Sequence, residues 1–477
     1  MDGLADRPYG DLEPEVCWQA AYSRDARFDG RFFAGAVTTR IYCRPTCPVP
    51  FARPNNIVWF ASAAAAETAG FHPCRRCRSS ASPGTPAWAG TSAVVSRAMR
   101  LIGEGALDSG NVEDLADRVG LGSRHLRRLF VEHLGASPNR IAVTRRVHFA
   151  RNLIEETDLP ITQIAASAGF RSIRQFNHAM LSTTGESPTR LRGIRSVPVS
   201  PRSRHGLLIR LAYRAPFDWS ALLAFLARRA IKGVECVESN AYSRTIEING
   251  VAGVLEVRQD ARERQLLVNI ELPHYESLMQ VTERVRRIFD LAADPLQIAG
   301  QLSRDRTLKP LIAAAPGLRV PGIWDGFEAS VRAILGERLA DKVPRAALTR
   351  LARTFGKPVK TSVRGLTHVF PGPRELAEGD LGAAHIRGQR AAMIRAVARA
   401  AACGSLTFEA SRNLQDAIAR VRVISGIRQP VAEYIAMRAF GEPDAFPISR
   451  AKSPSASEHW RPWRAYGAMY LYGAGKH

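Results

Sequence analysis

The residues whose type and spacing most directly imply chemistry are two close pairs of cysteines. They read Cys43-Arg44-Pro45-Thr46-Cys47 and Cys74-Arg75-Arg76-Cys77, with 26 residues between the pairs. Thiolate is a soft ligand that selects zinc over hard cations, and four sulfurs delivered as two short loops suit one tetrahedral zinc ion. Two uses of such a site stand open on spacing alone. It can be a structural clip that holds a small domain together, which is the commoner outcome. It can also present one sulfur as a nucleophile, because the thiolate is the reactive form of cysteine and metal binding keeps it ionised at neutral pH.

The flanking sequence narrows the choice. Asp29-Gly30-Arg31-Phe32-Phe33 precedes Thr38-Thr39-Arg40-Ile41-Tyr42-Cys43-Arg44-Pro45, and Gly70-Phe71-His72-Pro73 precedes the second pair. Over roughly the first 85 residues this resembles the N-terminal domain of the Ada family. The resemblance implies that Cys43 is at once a zinc ligand and the acceptor of a methyl group from a DNA methylphosphotriester, with Cys47, Cys74 and Cys77 completing the site. Four thiolates on a divalent cation leave two excess negative charges, and methylation of Cys43 removes one of them. Repulsion from DNA phosphate then falls, and promoter binding tightens. Nothing regenerates the thiolate, so such a protein acts once. Where the family places basic residues after the second cysteine, this chain has Pro48, Val49 and Pro50. Thr39, Arg53 and Arg76, with Arg75 beside it, are the expected DNA contacts.

Bulk composition sets the frame for these residues. A chain of 477 residues exceeds one ordinary core, and 45% apolar content excludes a largely disordered chain. The net charge of +23 calls for a polyanionic partner, and double-stranded DNA fits better than a membrane surface because no basic amphipathic helix stands apart. No basic-then-apolar leader and no membrane-length apolar run appear. With seven cysteines, four of them metal-spaced, this makes a cytoplasmic protein the expectation. Cys17, Cys236 and Cys403 read as ordinary thiols.

Several elements must position the site. Residues 1–85 are the zinc domain, in which Ser62 caps a helix over 63–66, and a small-residue linker comes next over 79–86. Residues 93–193 read as all-helical and carry one pattern twice. Val112-Glu113-Asp114-Leu115-Ala116 leads to Gly120-Leu121-Gly122-Ser123; Ile161-Thr162-Gln163-Ile164-Ala165 leads to Gly169-Phe170-Arg171-Ser172. In each, alanine packs close to the second helix, glycine makes the turn and serine caps that second helix. Two such units bridged by a helix over 141–155 resemble the AraC-type DNA-binding domain, with recognition helices at 123–130 and 172–180. Arg124, Arg127, Arg128, Arg174, Gln175 and Asn177 have side chains that read base edges or phosphates, or else simply face solvent. A transcriptional activator implies RNA polymerase as a further partner.

After a basic linker at 194–206 the organisation changes. Residues 207–315 read as an α+β unit with strands at 207–213, 245–248, 254–257 and 266–270 and helices at 220–229 and 277–291. Residues 316–477 read as helical, so the whole is a multidomain, mainly α protein with α+β units. Leu318-Arg319-Val320-Pro321-Gly322, Ile424-Ser425-Gly426-Ile427 and Trp460-Arg461-Pro462-Trp463-Arg464-Ala465-Tyr466 resemble AlkA-type helix-hairpin-helix 3-methyladenine DNA glycosylases. The resemblance implies that Gly426 approaches a DNA phosphate and that Tyr434 and Tyr472 line a base pocket. It also exposes departures. The second hairpin glycine is Arg428, the pocket tryptophan is Pro430, and the catalytic aspartate position falls on Arg450. The following segment is short, with 451–459 expected as a loop, and Gly336-Glu337-Arg338-Leu339 replaces a glutamine-rich run. Cleavage of a glycosidic bond builds positive charge on the sugar, which a guanidinium opposes. Loss of most glycosylase activity is therefore expected. No Pro-Cys-His-Arg run occurs, so no O6-methylguanine repair is expected.

Overall fold

The computed structural model describes residues 12–83, 93–194, 206–336, 339, 344–409, 411, 413–447 and 454–474. The N-terminal module is a four-stranded sheet ordered β3-β1-β2-β4, from β1 (Phe33–Ala36), β2 (Ile41–Cys43), β3 (Ile57–Phe60) and β4 (His72–Pro73). Strand β1 pairs antiparallel with β2 and β3, while β4 runs parallel to β2. Gly35 is required where β1 crosses the core, since a Cβ there would lie 2.6 Å from the Phe60 ring and 2.8 Å from that of Phe71. A short helix, Ala63–Thr68, starts as expected at Ser62, whose hydroxyl accepts from Ala65 N at 3.0 Å. The start of the expected linker is not free chain. Ser79–Ala81 forms a 3-10 turn, and Ser79 and Ser80 are buried against the helical region that comes after them.

That region contains both helix-turn-helix units. Val112–Val119 and Ser123–Leu134 form the first, Ile161–Ser167 and Ile173–Thr184 the second, and the bridging helix Pro138–Glu156 joins them. The caps differ from expectation in one place. Ser172 caps the second recognition helix, accepting from Gln175 N at 3.2 Å, but Gly122 holds the cap position of the first and Ser123 is already helical.

The α+β unit is a five-stranded antiparallel sheet ordered β5-β9-β8-β7-β6. Its strands are β5 (Leu207–Ala212), β6 (Glu235–Glu238), β7 (Ala241–Ile248), β8 (Val251–Asp260) and β9 (Gln265–Glu271), flanked by helices Trp219–Arg229 and Leu278–Ile288. Edge strand β6 has no apolar alternation to betray it in the sequence. The apolar face of this sheet does not form a separate core. Val147, Leu153, Ile164, Phe176 and Leu191 of the helix-turn-helix region share one cluster of buried side chains with Leu207, Ile209, Leu255 and Val268. The sequence boundary near 194–206 is thus not a boundary of packing.

The helical remainder packs around Gly326–Leu335, with a hairpin formed by Leu414–Arg422 and Gln429–Arg438 and a closing helix, Arg464–Gly473. Pro454–Trp460, expected as loop, is 3-10 helical. A buried charge cluster ties this bundle to the sheet. Arg244 pairs with Glu328 at 2.8 Å, and Arg332 bridges Glu328 to Glu235, the latter at 2.5 Å. Burial works to raise the Glu235 carboxyl, but Arg332 and Arg244 outweigh it and bring it from 4.5 down to about 2. Removing one partner of such a cluster leaves uncompensated charge in the interior. Glu328→Gln is expected to lower unfolding stability by about 3–5 kcal/mol in urea titrations monitored by circular dichroism.

Candidate metal centre and nucleic-acid interface

Strand β2 ends at Cys43, whose backbone pairs with Ala34, and Cys47 lies beyond it in a turn closed by Cys47 N donating to Arg44 O at 3.1 Å. The second ligand loop is zipped to the same strand, with Cys74 N donating to Tyr42 O at 3.0 Å. The sulfurs of Cys43, Cys47, Cys74 and Cys77 all lie within 4.8 Å of one another. Tetrahedral zinc with bonds near 2.3 Å needs sulfurs about 3.8 Å apart, so the arrangement fits one zinc ion. Four thiolates this close repel one another, so the fully ionised set is stable only around a cation. Cys47 and Cys74 are buried, whereas Cys43 and Cys77 are partly exposed. Arg44, beside Cys43, turns inward: it pairs with Asp29 and donates to Cys77 O at 3.4 Å.

The expected DNA-facing residues lie at the surface. Thr39, Arg53 and Arg76 are at least partly exposed around the metal module. Arg124, Arg127 and Arg128 are exposed on the first recognition helix, and Arg174, Gln175 and Asn177 on the second. Arg127 makes a 2.9 Å solvent-exposed pair with Glu113, of the surface kind that contributes little to stability. Arg75 is instead committed to Glu186 at 2.7 Å, just beyond the second recognition helix. His72 adds a hydrogen bond from Nδ1 to Thr183 O at 2.9 Å, so the second ligand loop is docked on that helix.

Sequence reasoning missed a buried polar network between the two modules. The Glu67 carboxylate accepts from Tyr42 Oη at 3.0 Å, from His148 Nε2 at 2.7 Å and from Thr144 Oγ1, with Arg140 at 3.7 Å. Burial alone would raise its carboxyl, but His148, Thr144 and Arg140 hold it below the ordinary glutamate value. The available signal was a lone acid following a run of four alanines on a helix only six residues long.

In the glycosylase-like region Gly426 sits exposed at the hairpin with φ +91°, a left-handed conformation that suits glycine. Arg428 is exposed at the N-cap position of the next helix without a side-chain capping hydrogen bond, and Pro430 occupies the first turn. Tyr434 is 1% exposed, and its hydroxyl accepts from Arg438 at 2.7 Å. Tyr472 is half-buried, edge-on to Phe225 with the Arg229 guanidinium 5.3 Å from its ring. Arg450 lies outside the described residues. Asp444, the nearby carboxylate, accepts from Arg464 Nε at 2.8 Å and Nη2 at 3.1 Å and pairs with Arg461.

Comparison with known proteins places each region. The metal-binding domain of Ada matches residues 16–80, a helix-turn-helix domain 115–193 and the AlkA N-terminal domain 208–325. A probable bifunctional transcriptional activator/DNA repair enzyme AlkA of Mycobacterium tuberculosis is 38% identical over 481 residues, covering 96% of each chain. The chain belongs to this Ada/AlkA fusion family. Two Escherichia coli proteins resemble its halves. DNA-3-methyladenine glycosylase 2 is 29% identical across 55% of this chain and 95% of its own length. The bifunctional transcriptional activator/DNA repair enzyme Ada is 30% identical across 38% of this chain and 49% of its own length. For this fusion protein, Cys74→Ser is expected to reduce bound zinc from one per chain to near none by elemental analysis, since structural sites of this type need all four ligands.

Proposed function

We propose that this chain is a DNA alkylation-damage response protein in which Cys43 takes a methyl group from a methylphosphotriester in double-stranded DNA. The observation that carries this reading is that Cys43 is a partly exposed residue of a four-cysteine cluster docked on a helix-turn-helix region. Bound at the four cysteines, zinc keeps the sulfurs as thiolates. The Cys43 sulfur attacks the methyl carbon, an S–C bond forms, and the C–O bond breaks with its electron pair leaving on phosphate oxygen. A thioether and an ordinary phosphodiester result, and the protein is spent. Lower negative charge at the centre then strengthens promoter binding through the recognition helices, with RNA polymerase as the partner an activator implies. Incubation with methylphosphotriester-containing duplex is expected to add one methyl mass per chain, located at Cys43 by peptide mass spectrometry. The same gain in Cys43→Ala would refute the assignment.

The glycosylase-like region completes the proposal as one with impaired base excision. Arg450 at the catalytic position, Arg428 and Pro430 in the hairpin, and the engagement of Asp444 by two guanidiniums support this. Exchanging a favourable for an unfavourable charge costs several kcal/mol of barrier, on the order of a thousandfold in rate. An active glycosylase is the second reading, favoured by 29% identity along 95% of the Escherichia coli glycosylase. Release of free 3-methyladenine from alkylated DNA decides between them. Impairment predicts a rate about a thousandfold below that of an active glycosylase, while sustained multiple-turnover release establishes the second reading.

A further inference from the structure

We propose that Glu67 is a positioning residue for methyl transfer: through Tyr42 it fixes the strand that presents Cys43, and it anchors that strand to the bridging helix of the helix-turn-helix region. The inference rests on Cys43 being the methyl acceptor.

The geometry runs through one strand. In β2 successive side chains alternate, so the direction of Tyr42 sets that of Cys43. The Tyr42 ring is buried against Phe33, edge to face at 5.5 Å, and its main-chain oxygen accepts from Cys74 N. Its hydroxyl reaches the carboxylate of Glu67 at 3.0 Å. Glu67 in turn is fixed from the bridging helix by His148 at 2.7 Å and by Thr144. A carboxylate oxygen can only accept, so Tyr42, His148 and Thr144 each donate to Glu67. Side-chain exposure at Glu67 is 0%, so bulk water supplies no alternative partner. A nucleophile must meet the methyl carbon in line with the breaking C–O bond, and a displacement of about 1 Å costs up to a hundredfold in rate. Zinc ligation fixes where the sulfur sits relative to the other three cysteines. The Tyr42–Glu67–His148 network fixes where the whole centre sits relative to the recognition helices, and so to the duplex.

The test uses the full chain and the variants Tyr42→Phe and Glu67→Gln. Each is measured for zinc content, for Cys43 methylation by methyl iodide, which needs no docking, and for single-turnover transfer from a methylphosphotriester duplex. Expected are one zinc per chain, unchanged reaction with methyl iodide, and a maximal rate on duplex about tenfold lower. The DNA concentration giving half that rate should not move, because Thr39, Arg53 and Arg76 are untouched. Unchanged duplex transfer in both variants overturns the proposal, as does a parallel fall with methyl iodide. If Glu67→Gln loses zinc, Tyr42→Phe decides alone, since it removes one hydroxyl and no charge. An unaltered chain that reacts with methyl iodide at Cys43 yet takes nothing from duplex refutes the acceptor reading itself.

Discussion

Four thiolates within 4.8 Å repel one another, and only a cation at their centre makes the arrangement favourable. The N-terminal module is built around that requirement. Its apolar clusters are small, one around Cys17, Phe32 and Trp59 and another around Phe33, Tyr42 and Phe71. Clusters of this size do not hold a domain of such length unaided. Metal ligation supplies part of the deficit, and docking supplies more: Ser62 Oγ donates to Leu134 O at 2.6 Å, and Arg78 pairs with Glu155 and Glu156 of the bridging helix. The module is therefore docked on the helix-turn-helix region through these contacts.

Arginine performs the same joining task along the rest of the chain. Arg31 reaches Asp294 at 3.1 Å, Arg97 reaches Glu442 at 3.1 Å, Arg118 reaches Glu409 at 2.6 Å and Arg287 reaches Glu104 at 3.3 Å. Each pair links segments the sequence assigns to different domains. A planar guanidinium suits this role, because it stays charged when buried and satisfies several acceptors at once. Arg214 and Arg319 show the extreme: both are deeply buried and donate mainly to backbone oxygens. Arginine thus serves internal joints as well as the surface, where Arg124, Arg127, Arg128 and Arg174 of the recognition helices lie exposed.

What the sequence disclosed was whatever is written at short range. The cysteine pairs, the repeated turn glycines and the serine before the second recognition helix are each legible within a dozen residues, and the structure has the corresponding elements. Glu67 was not legible because its partners lie 77 and 81 residues away on another module. Tyr434 illustrates a related limit: helical spacing places an aromatic on a face but does not say that Arg438, four residues on, donates to its hydroxyl. Strand β6, Glu-Cys-Val-Glu, carries too little apolar alternation to be recognised, and it is held at the sheet edge by pairing with β7.

Shared packing also gives a physical reason for keeping a glycosylase-like region whose catalysis is proposed to be impaired. The second helix-turn-helix unit buries Phe176, Leu191 and the inner face of the bridging helix in the same cluster as the β5–β9 sheet. Ser167 adds a 2.7 Å hydrogen bond to Tyr275 O across that contact. Separating the two would return a contiguous apolar surface to water, at about 25 cal/mol for each Å² exposed. The sheet in turn is joined to the helical bundle by Glu235, Arg244, Glu328 and Arg332, where loss of one member leaves a buried charge without its partner. The helix-turn-helix region is thus coupled by packing to the sheet and, through the buried charges, to the bundle. The departures from the glycosylase pattern fall elsewhere, at Arg428 and Pro430 in the hairpin and at the Arg450 position of the sequence.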